Sequence, residues 1–178
     1  MEQNEAHDRK PETSLQQRYA ALLNEYGAGL SRLAAAYEVS PQLREDLLQD
    51  IRMAIWLALP RFRGDASLRT FVYRIAHNRA LTHVWRRKQL GILDPIDEID
   101  LSDERPGPEA KAIENASRQA LLDAIRALPL PSRQVIILAL EDMSHREIGT
   151  VLGLTENNVA VRLTRARSLL RARLRRNR

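Results

Sequence analysis

Cysteine is absent from the 178 residues, which excludes disulfides and cysteine-ligated zinc. No apolar run approaches the roughly 18 residues that a membrane-spanning helix needs. Residues 1–14 are polar and of mixed charge, without the basic end and apolar stretch of a secretory signal. These absences predict a soluble cytoplasmic protein with no membrane span. No stretch alternates apolar and polar residues as a half-buried strand does, and no repeat recurs. Catalytic constellations are missing too. The histidines, His7, His77, His83 and His145, make no His-Glu-x-x-His pair, and there is no glycine-rich phosphate loop. Asp46 and Asp50 stand one helical turn apart and could in principle hold a cation, but lone carboxylate pairs on a helix are far more often surface charge. Neither an enzyme, nor a metal site, nor a cofactor is expected.

What is present is a helical, basic chain. Apolar residues make up 44% of it, enough to build a core. The net charge of +5 is unevenly spread. Residues 1–88 carry 14 Lys and Arg against 10 acids; residues 89–115 carry 2 against 8; residues 116–178 carry 12 against 5. Two basic blocks therefore flank an acidic connector, the layout of two nucleic-acid-facing modules on a linker.

The clearest local signal lies between Ser144 and Arg176. Ser144 with Glu147 three residues on is a capping box. Ile148, Val151 and Leu152 follow at helical spacing, and Gly153 can adopt the left-handed conformation that ends a helix. Thr155 can cap the next helix, with Glu156 favoured in its first turn by the helix dipole. Along that second helix Arg162, Arg165, Arg167, Arg171, Arg173, Arg175, Arg176 and Arg178 face the single acid Glu156. The pattern is a helix-turn-helix whose second helix enters the DNA major groove. A solvated surface hairpin is the plainer alternative, but such helices usually mix both signs of charge.

Upstream, Ser14 and Gln17 predict a capped first helix with one face formed by Leu15, Tyr19, Leu22, Tyr26, Leu30, Leu33 and Tyr37, weakened in its middle by Gly27 and Gly29. Ser40-Pro41 opens a second helix to about Leu59, buried through Leu47, Leu48, Ile51, Ala54, Ile55 and Ala58. On another face Trp56 stands among polar residues, either as a ring folded over the edge of the bundle or as an anchor for a protein partner. After Pro60, Asp65 can cap a third helix from Ala66 to about Lys88, with Leu68, Val72, Ile75 and Ala76 inward. Its outer side is expected to carry Arg74, His77, Asn78, Arg79, Thr82, Trp85, Arg86, Arg87 and Lys88. Charge for phosphates, an amide for base edges and an aromatic for unstacked bases interleave there. Residues 89–107 lack periodicity and read as a linker. A short helix through Leu121, Leu122, Ile125 and Leu128 follows, then one capped by Ser132 and holding Val135, Ile136, Ile137, Leu138 and Leu140, buried all round. In the last helix Val159, Leu163, Ala166, Leu170 and Leu174 form the inward stripe. The fold class is thus all-α: two small helical bundles joined by an acidic linker, the second containing the helix-turn-helix.

Three blocks together carry a family resemblance: Asp46-Leu-Leu-Gln-Asp-Ile51 with Trp56; Arg61 through Ala80; and Leu128-Pro with Arg133, then Ser144 to Arg167. In these the chain resembles bacterial RNA polymerase sigma factors of the extracytoplasmic-function type, in the sigma-70 family. The resemblance implies a tail over residues 1–11, sigma region 2 over 12–90, a linker over 91–111 and sigma region 4 over 112–178. Region 2 would bind the clamp coiled coil of the largest polymerase subunit, through Gln49, Asp50, Met53 and Trp56. It would also capture the −10 strand with Arg74, His77, Asn78, Arg79, Thr82, Trp85 and Arg86. Asn78 matches the position that helps read a flipped base, and an asparagine offers donor and acceptor together. Phe71 stands where the family usually has Trp, and Phe71 and Tyr73 are expected in the core. Region 4 would bind the flap of the other large subunit and −35 duplex, using Asn157, Asn158, Ala160, Val161, Arg162, Thr164, Arg165 and Arg167. Ala160 replaces the usual Lys or Arg. With Val161 and Thr164 it suits thymine methyls but not bidentate guanine contacts, so −35 readout is expected to be weak and salt-dependent. An anti-sigma partner is implied as the control.

Two rival readings remain at the level of sequence. One is a dimeric helix-turn-helix regulator that binds operator DNA without polymerase. The other is a helical adaptor whose basic faces are merely solvated.

Overall fold

A computed structural model describes residues 14–91 and 109–176, with the side chains of 109–115 and of residue 176 left aside. The expected tail, most of the expected linker and Arg178 lie outside the described residues. Seven α-helices and no strand occur among the described residues: α1 (Leu15–Tyr37), α2 (Pro41–Ala58), α3 (Leu68–Gln89), α4 (Glu109–Arg126), α5 (Leu130–Leu140), α6 (His145–Leu152) and α7 (Glu156–Arg176). A single 3-10 turn, Leu59–Arg61, follows α2 at Pro60. None of these helices is long and apolar enough to cross a membrane.

The helix starts follow local chemistry. Ser14 accepts from the Gln17 amide and the Gln17 side chain returns the bond, closing the capping box of α1. Pro41 occupies the first turn of α2, and Ser40 makes no side-chain cap there. The third helix begins later than expected. Ser67, not Asp65, is its cap, with its Oγ 3.1 Å from the Thr70 amide. Asp65 follows Gly64, whose φ is +82, so the chain there is still turning. In the second half, α4 is a full 18-residue helix rather than a short one. Ser132 is not the cap of α5. The helix starts at Leu130 with Pro131 in its first turn, and Ser132 is buried inside it. Leu140, expected inside, is 52% exposed because α5 ends at that residue.

Helices α1, α2 and α3 pack together, as do α4, α5, α6 and α7. The two groups also pack on each other, α1 against α4 and α3 against α6. One contiguous cluster of buried residues runs through both, from Leu22, Leu33, Ile51 and Val72 to Leu128, Leu138, Ile148 and Leu163. At the expected stripes, Val72 and Ala76 are fully buried while Leu68 and Ile75 are half-buried. Val159, Leu163 and Ala166 are buried, and Leu170 and Leu174 are half-buried towards the open end of α7.

The joint between the groups is polar as well as apolar. Arg126 of α4 is buried and donates to the Ala35 carbonyl at 2.9 Å and the Glu38 carbonyl at 3.4 Å. It thereby satisfies carbonyls at the end of α1 that have no helical donor. Arg133 is also buried and donates to the Arg126 and Leu128 carbonyls, closing the α4–α5 turn. Burial lowers the pKa of both guanidinium groups. Glu141, at the end of α5, accepts from Arg32 Nε and Nη2, both at 2.7 Å, and from the Tyr73 hydroxyl at 2.9 Å.

Candidate nucleic-acid interface

The helix-turn-helix is built as the local signals demand. The Ser144 Oγ accepts from the Glu147 amide, and the Glu147 carboxylate accepts from the Ser144 amide at 2.8 Å. Those bonds hold the Glu147 carboxyl below its ordinary pKa. Gly153 takes φ +68, and the Leu154 amide closes the turn on the Gly149 carbonyl at 2.9 Å. A Cβ at Gly149 would lie 2.6 Å from the Leu154 carbonyl oxygen, so the α6–α7 turn needs the bare backbone there. Thr155 Oγ1 then accepts from the Asn158 amide and opens α7.

Along α7, Asn157, Asn158, Arg162, Thr164, Arg165 and Arg167 are exposed, and Ala160 is half-buried. Val161 is 62% exposed, an apolar side chain presented to solvent in the middle of a basic helix. Thr164 donates its hydroxyl to the Ala160 carbonyl at 3.0 Å, leaving its methyl as the free outward group. The outward face thus combines guanidinium groups with small apolar ones.

The other basic surface is α3. Arg74, Asn78, Arg79, Thr82, Trp85 and Arg86 are exposed along it. The steps from 74 to 78 to 82 and on to 85 and 86 place them on adjoining turns of one face. Thr82 Oγ1 donates back to the Asn78 carbonyl at 2.9 Å, so its hydroxyl is occupied. Trp85 is 58% exposed, with Lys88 Nζ 6.0 Å from its ring centroid. A large ring held out beside cations is a platform on which an unstacked base can lie.

Two residues expected on that outer side are not there. His77 is 3% exposed, turned inward between Tyr37 and Gln134. Burial lowers its pKa to about 4, so the ring is neutral. Arg87 also turns in and pairs with the buried Glu38, which His83 Nε2 reaches at 2.7 Å and the Ser40 amide at 2.9 Å. Burial opposes ionisation of Glu38, but its bonds to His83, Ser40 and Arg87 outweigh it and lower the pKa. Helical spacing assigns faces but not what packs on them. Gln134 of α5 reaches His77 from the other helical group, whereas Arg87 is drawn in by Glu38 at the end of α1, within its own group. Tyr73 is buried as expected, whereas Phe71 is half-buried with its ring 4.8 Å from that of Phe62.

On α2, Gln49 and Asp50 are exposed and Met53 is 59% exposed. Trp56 combines its two readings. It is half-buried, with its ring edge-on to Tyr19 at 5.1 Å, and its remaining surface adjoins the exposed residues. Sequence reasoning missed Leu57, which is 64% exposed. Its spacing of four from Met53 and seven from Asp50 was the available signal. An exposed apolar strip of Met53, Trp56 and Leu57 beside polar groups suits a protein partner.

The molecule is therefore a helical protein with two basic, DNA-compatible helix faces, one of them in a helix-turn-helix. The family models for "Sigma-70 region 2" and "Sigma-70, region 4" match residues 22–89 and 118–170. RNA polymerase sigma factor NccH of Alcaligenes xylosoxydans xylosoxydans is 30% identical over 175 residues, covering 95% of this chain and 93% of that one. The ECF RNA polymerase sigma-E factor of Escherichia coli K12 is 27% identical over 164 residues, covering 87% and 85%. Among solved structures, CnrH in complex with the cytosolic domain of CnrY matches with TM-score 0.66 and 27% identity, covering 92% of this chain and 91% of that one. RpoE of Bartonella quintana, in complex with the anti-sigma factor NepR, matches in fold with TM-score 0.71 at 18% identity, covering 91% and 99%.

The chain belongs to the extracytoplasmic-function sigma factors of the sigma-70 family. It is a promoter-recognition subunit for RNA polymerase rather than an enzyme, and the operator-binding dimer is not favoured.

Proposed function

We propose that residues 12–90 act as region 2 and residues 112–178 as region 4, with residues 91–111 between them. Region 2 meets the polymerase clamp through Gln49, Asp50, Met53 and Trp56, and Leu57 extends that strip. It takes the −10 strand with Arg74, Asn78, Arg79, Thr82, Trp85 and Arg86. The observation that carries this reading is the pairing of an exposed amide with an exposed indole on one basic helix face, Asn78 and Trp85. Flipping a base out of the stack costs a few kcal/mol, and hydrogen bonding plus stacking on such a face offsets it. His77 joins the −10 set only if the flank of α3 is uncovered.

Region 4 docks on −35 duplex through Asn157, Asn158, Ala160, Val161, Arg162, Thr164, Arg165 and Arg167, and on the polymerase flap. Guanidinium groups dominate its polar surface and contact phosphates, which orient a protein on DNA without reading it. Val161 and the Thr164 methyl favour thymine methyls. The protein works in the cytoplasm, and an anti-sigma protein controls it, as the complexes of CnrH with CnrY and of RpoE with NepR support.

The test is transcription from a promoter library with purified core polymerase. Discrete start sites that move with the −10 sequence support the proposal. Tight duplex binding without polymerase, and no specific starts, would replace it with the operator-binding alternative.

A further inference from the structure

We propose that Glu141, held by Arg32 and Tyr73 over the bare backbone of Gly29, is a clasp that keeps the C-terminal helical group folded onto the N-terminal one. Its release is the step that lets one chain reach both promoter elements.

Glu141 belongs to the C-terminal group, and the donors from Arg32 and Tyr73 all belong to the N-terminal one. The carboxylate is buried, whereas the Arg32 side chain is 63% exposed, so the acid lies inside the joint and the base at its rim. Asp142, the next residue, takes φ +56, the left-handed conformation that aspartate tolerates, and turns the chain out of α5 directly after the acid. Gly29 makes the seat. A Cβ there would lie 2.5 Å from Glu141 Oε2 and closer still to the Tyr73 hydroxyl, whereas one at Gly27 would meet nothing within 4 Å. A residue that weakens a helix thus stands where the carboxylate comes down. A cleft of about 320 Å³, walled by Tyr26, Arg69, Leu140 and Asp142, opens beside the clasp.

Size makes release necessary. A compact chain of this length has a radius of gyration of roughly 16 Å. The −35 and −10 elements, by their nominal spacing of about 25 base pairs, lie roughly 85 Å apart along duplex at 3.4 Å per pair. With α3 packed against α6, the two DNA faces cannot be that far apart. The covalent chain between Gly91 and Glu109 can reach roughly 60 Å at full extension, so separated groups can span the promoter. Closure also holds His77 of α3 against Gln134 of α5. The need for release rests on the two-element reading proposed above; the existence of the clasp does not.

The chain has no cysteine, so Ala20→Cys and Ser168→Cys, both at exposed positions in different groups, accept a donor–acceptor dye pair cleanly. Energy transfer reads closure, circular dichroism checks that the helices persist, and transcription with core polymerase at sub-saturating protein reads function. Glu141→Gln, which keeps the shape and removes the charge, is expected to lower transfer and raise transcript yield roughly three-fold or more, with the yield at saturation unchanged. Arg32→Gln should do the same, and the double variant should add nothing further, as for partners in one contact. Gly29→Ala should open the chain independently by displacing the carboxylate. Unchanged transfer in all three single variants overturns the clasp. Opening without a gain in transcript overturns its role in promoter engagement. If the labelled parent gives no specific starts, the two-element reading fails, while energy transfer still decides the clasp.

Discussion

The side-chain amide of Gln134 meets His77 Nε2 at 3.1 Å, across the joint between the two helical groups. An amide nitrogen only donates, so Nε2 accepts, and the ring proton sits on Nδ1, facing the Tyr37 hydroxyl at 3.3 Å. A second ring proton would point at another donor in a buried site.

A pH dependence follows from that pair. Burial lowers the His77 pKa from 6.5 to about 4 in the packed state. Between those values the exposed ring takes a proton that the buried ring does not, so packing is most stable above pH 6.5 and weakens as pH falls towards 4. The full effect is up to about 3 kcal/mol. The groups facing His77 are Tyr37, whose pKa burial raises, and Arg133 near it, and neither takes up a proton in this window. Thermal unfolding between pH 7 and 5 should show a loss that is much smaller in His77→Gln.

Removing charge at Glu38 should cost more at neutral pH. Its side chain is fully buried and pairs with His83 and Arg87. Glu38→Gln leaves Arg87 short of its counter-charge and removes the carboxylate that His83 Nε2 meets, and should destabilise the protein by about 3 kcal/mol. The lowered Glu38 pKa means that this contribution is present above the ordinary carboxylate value and is lost as pH falls further. Urea unfolding at pH 7.5 and again at pH 3.5 should find the gap between variant and parent larger at the first than at the second.

Gly149→Ala tests the helix-turn-helix separately from the joint. The added carbon meets backbone, the Leu154 carbonyl oxygen, which cannot swing away as a side chain can. A loss of about 1–3 kcal/mol is expected, with −35 binding reduced and −10 strand binding unchanged. Fluorescence anisotropy with separate duplex and single-strand probes distinguishes the two.

The two DNA faces should respond differently to substitution. Asn78→Ala should lower open-complex formation roughly ten-fold or more while sparing duplex affinity, if Asn78 hydrogen-bonds a flipped base as proposed. Arg165→Gln should weaken −35 duplex binding for all sequences alike and reduce the slope of log affinity against log salt by about one. A sequence-selective loss from Arg165→Gln would reverse the assignment of its role to phosphate.

Much of this protein was legible in residue order because its signals are local. The caps at Ser14 and Ser144, the left-handed Gly153, and the spacing of apolar residues act within a turn or two of chain. They determined the helical class, the helix-turn-helix and the basic faces. The start of α3 was missed because Asp65 is as good a cap as Ser67 in isolation, and that of α5 because Ser132 offers a capping side chain that Pro129, the actual cap, lacks; only the path of the chain decides. The joint is another matter. Arg32 and Glu141 are 109 positions apart, His77 and Gln134 are 57 apart, and no periodicity links them. Sequence spacing sets which side of α3 can face outward. Tertiary packing decided that Arg87 turns in to Glu38 and that His77 is buried at the joint, because burying apolar surface between the groups favours closure only when Arg126, Gln134 and Glu141 satisfy the polar groups buried with it.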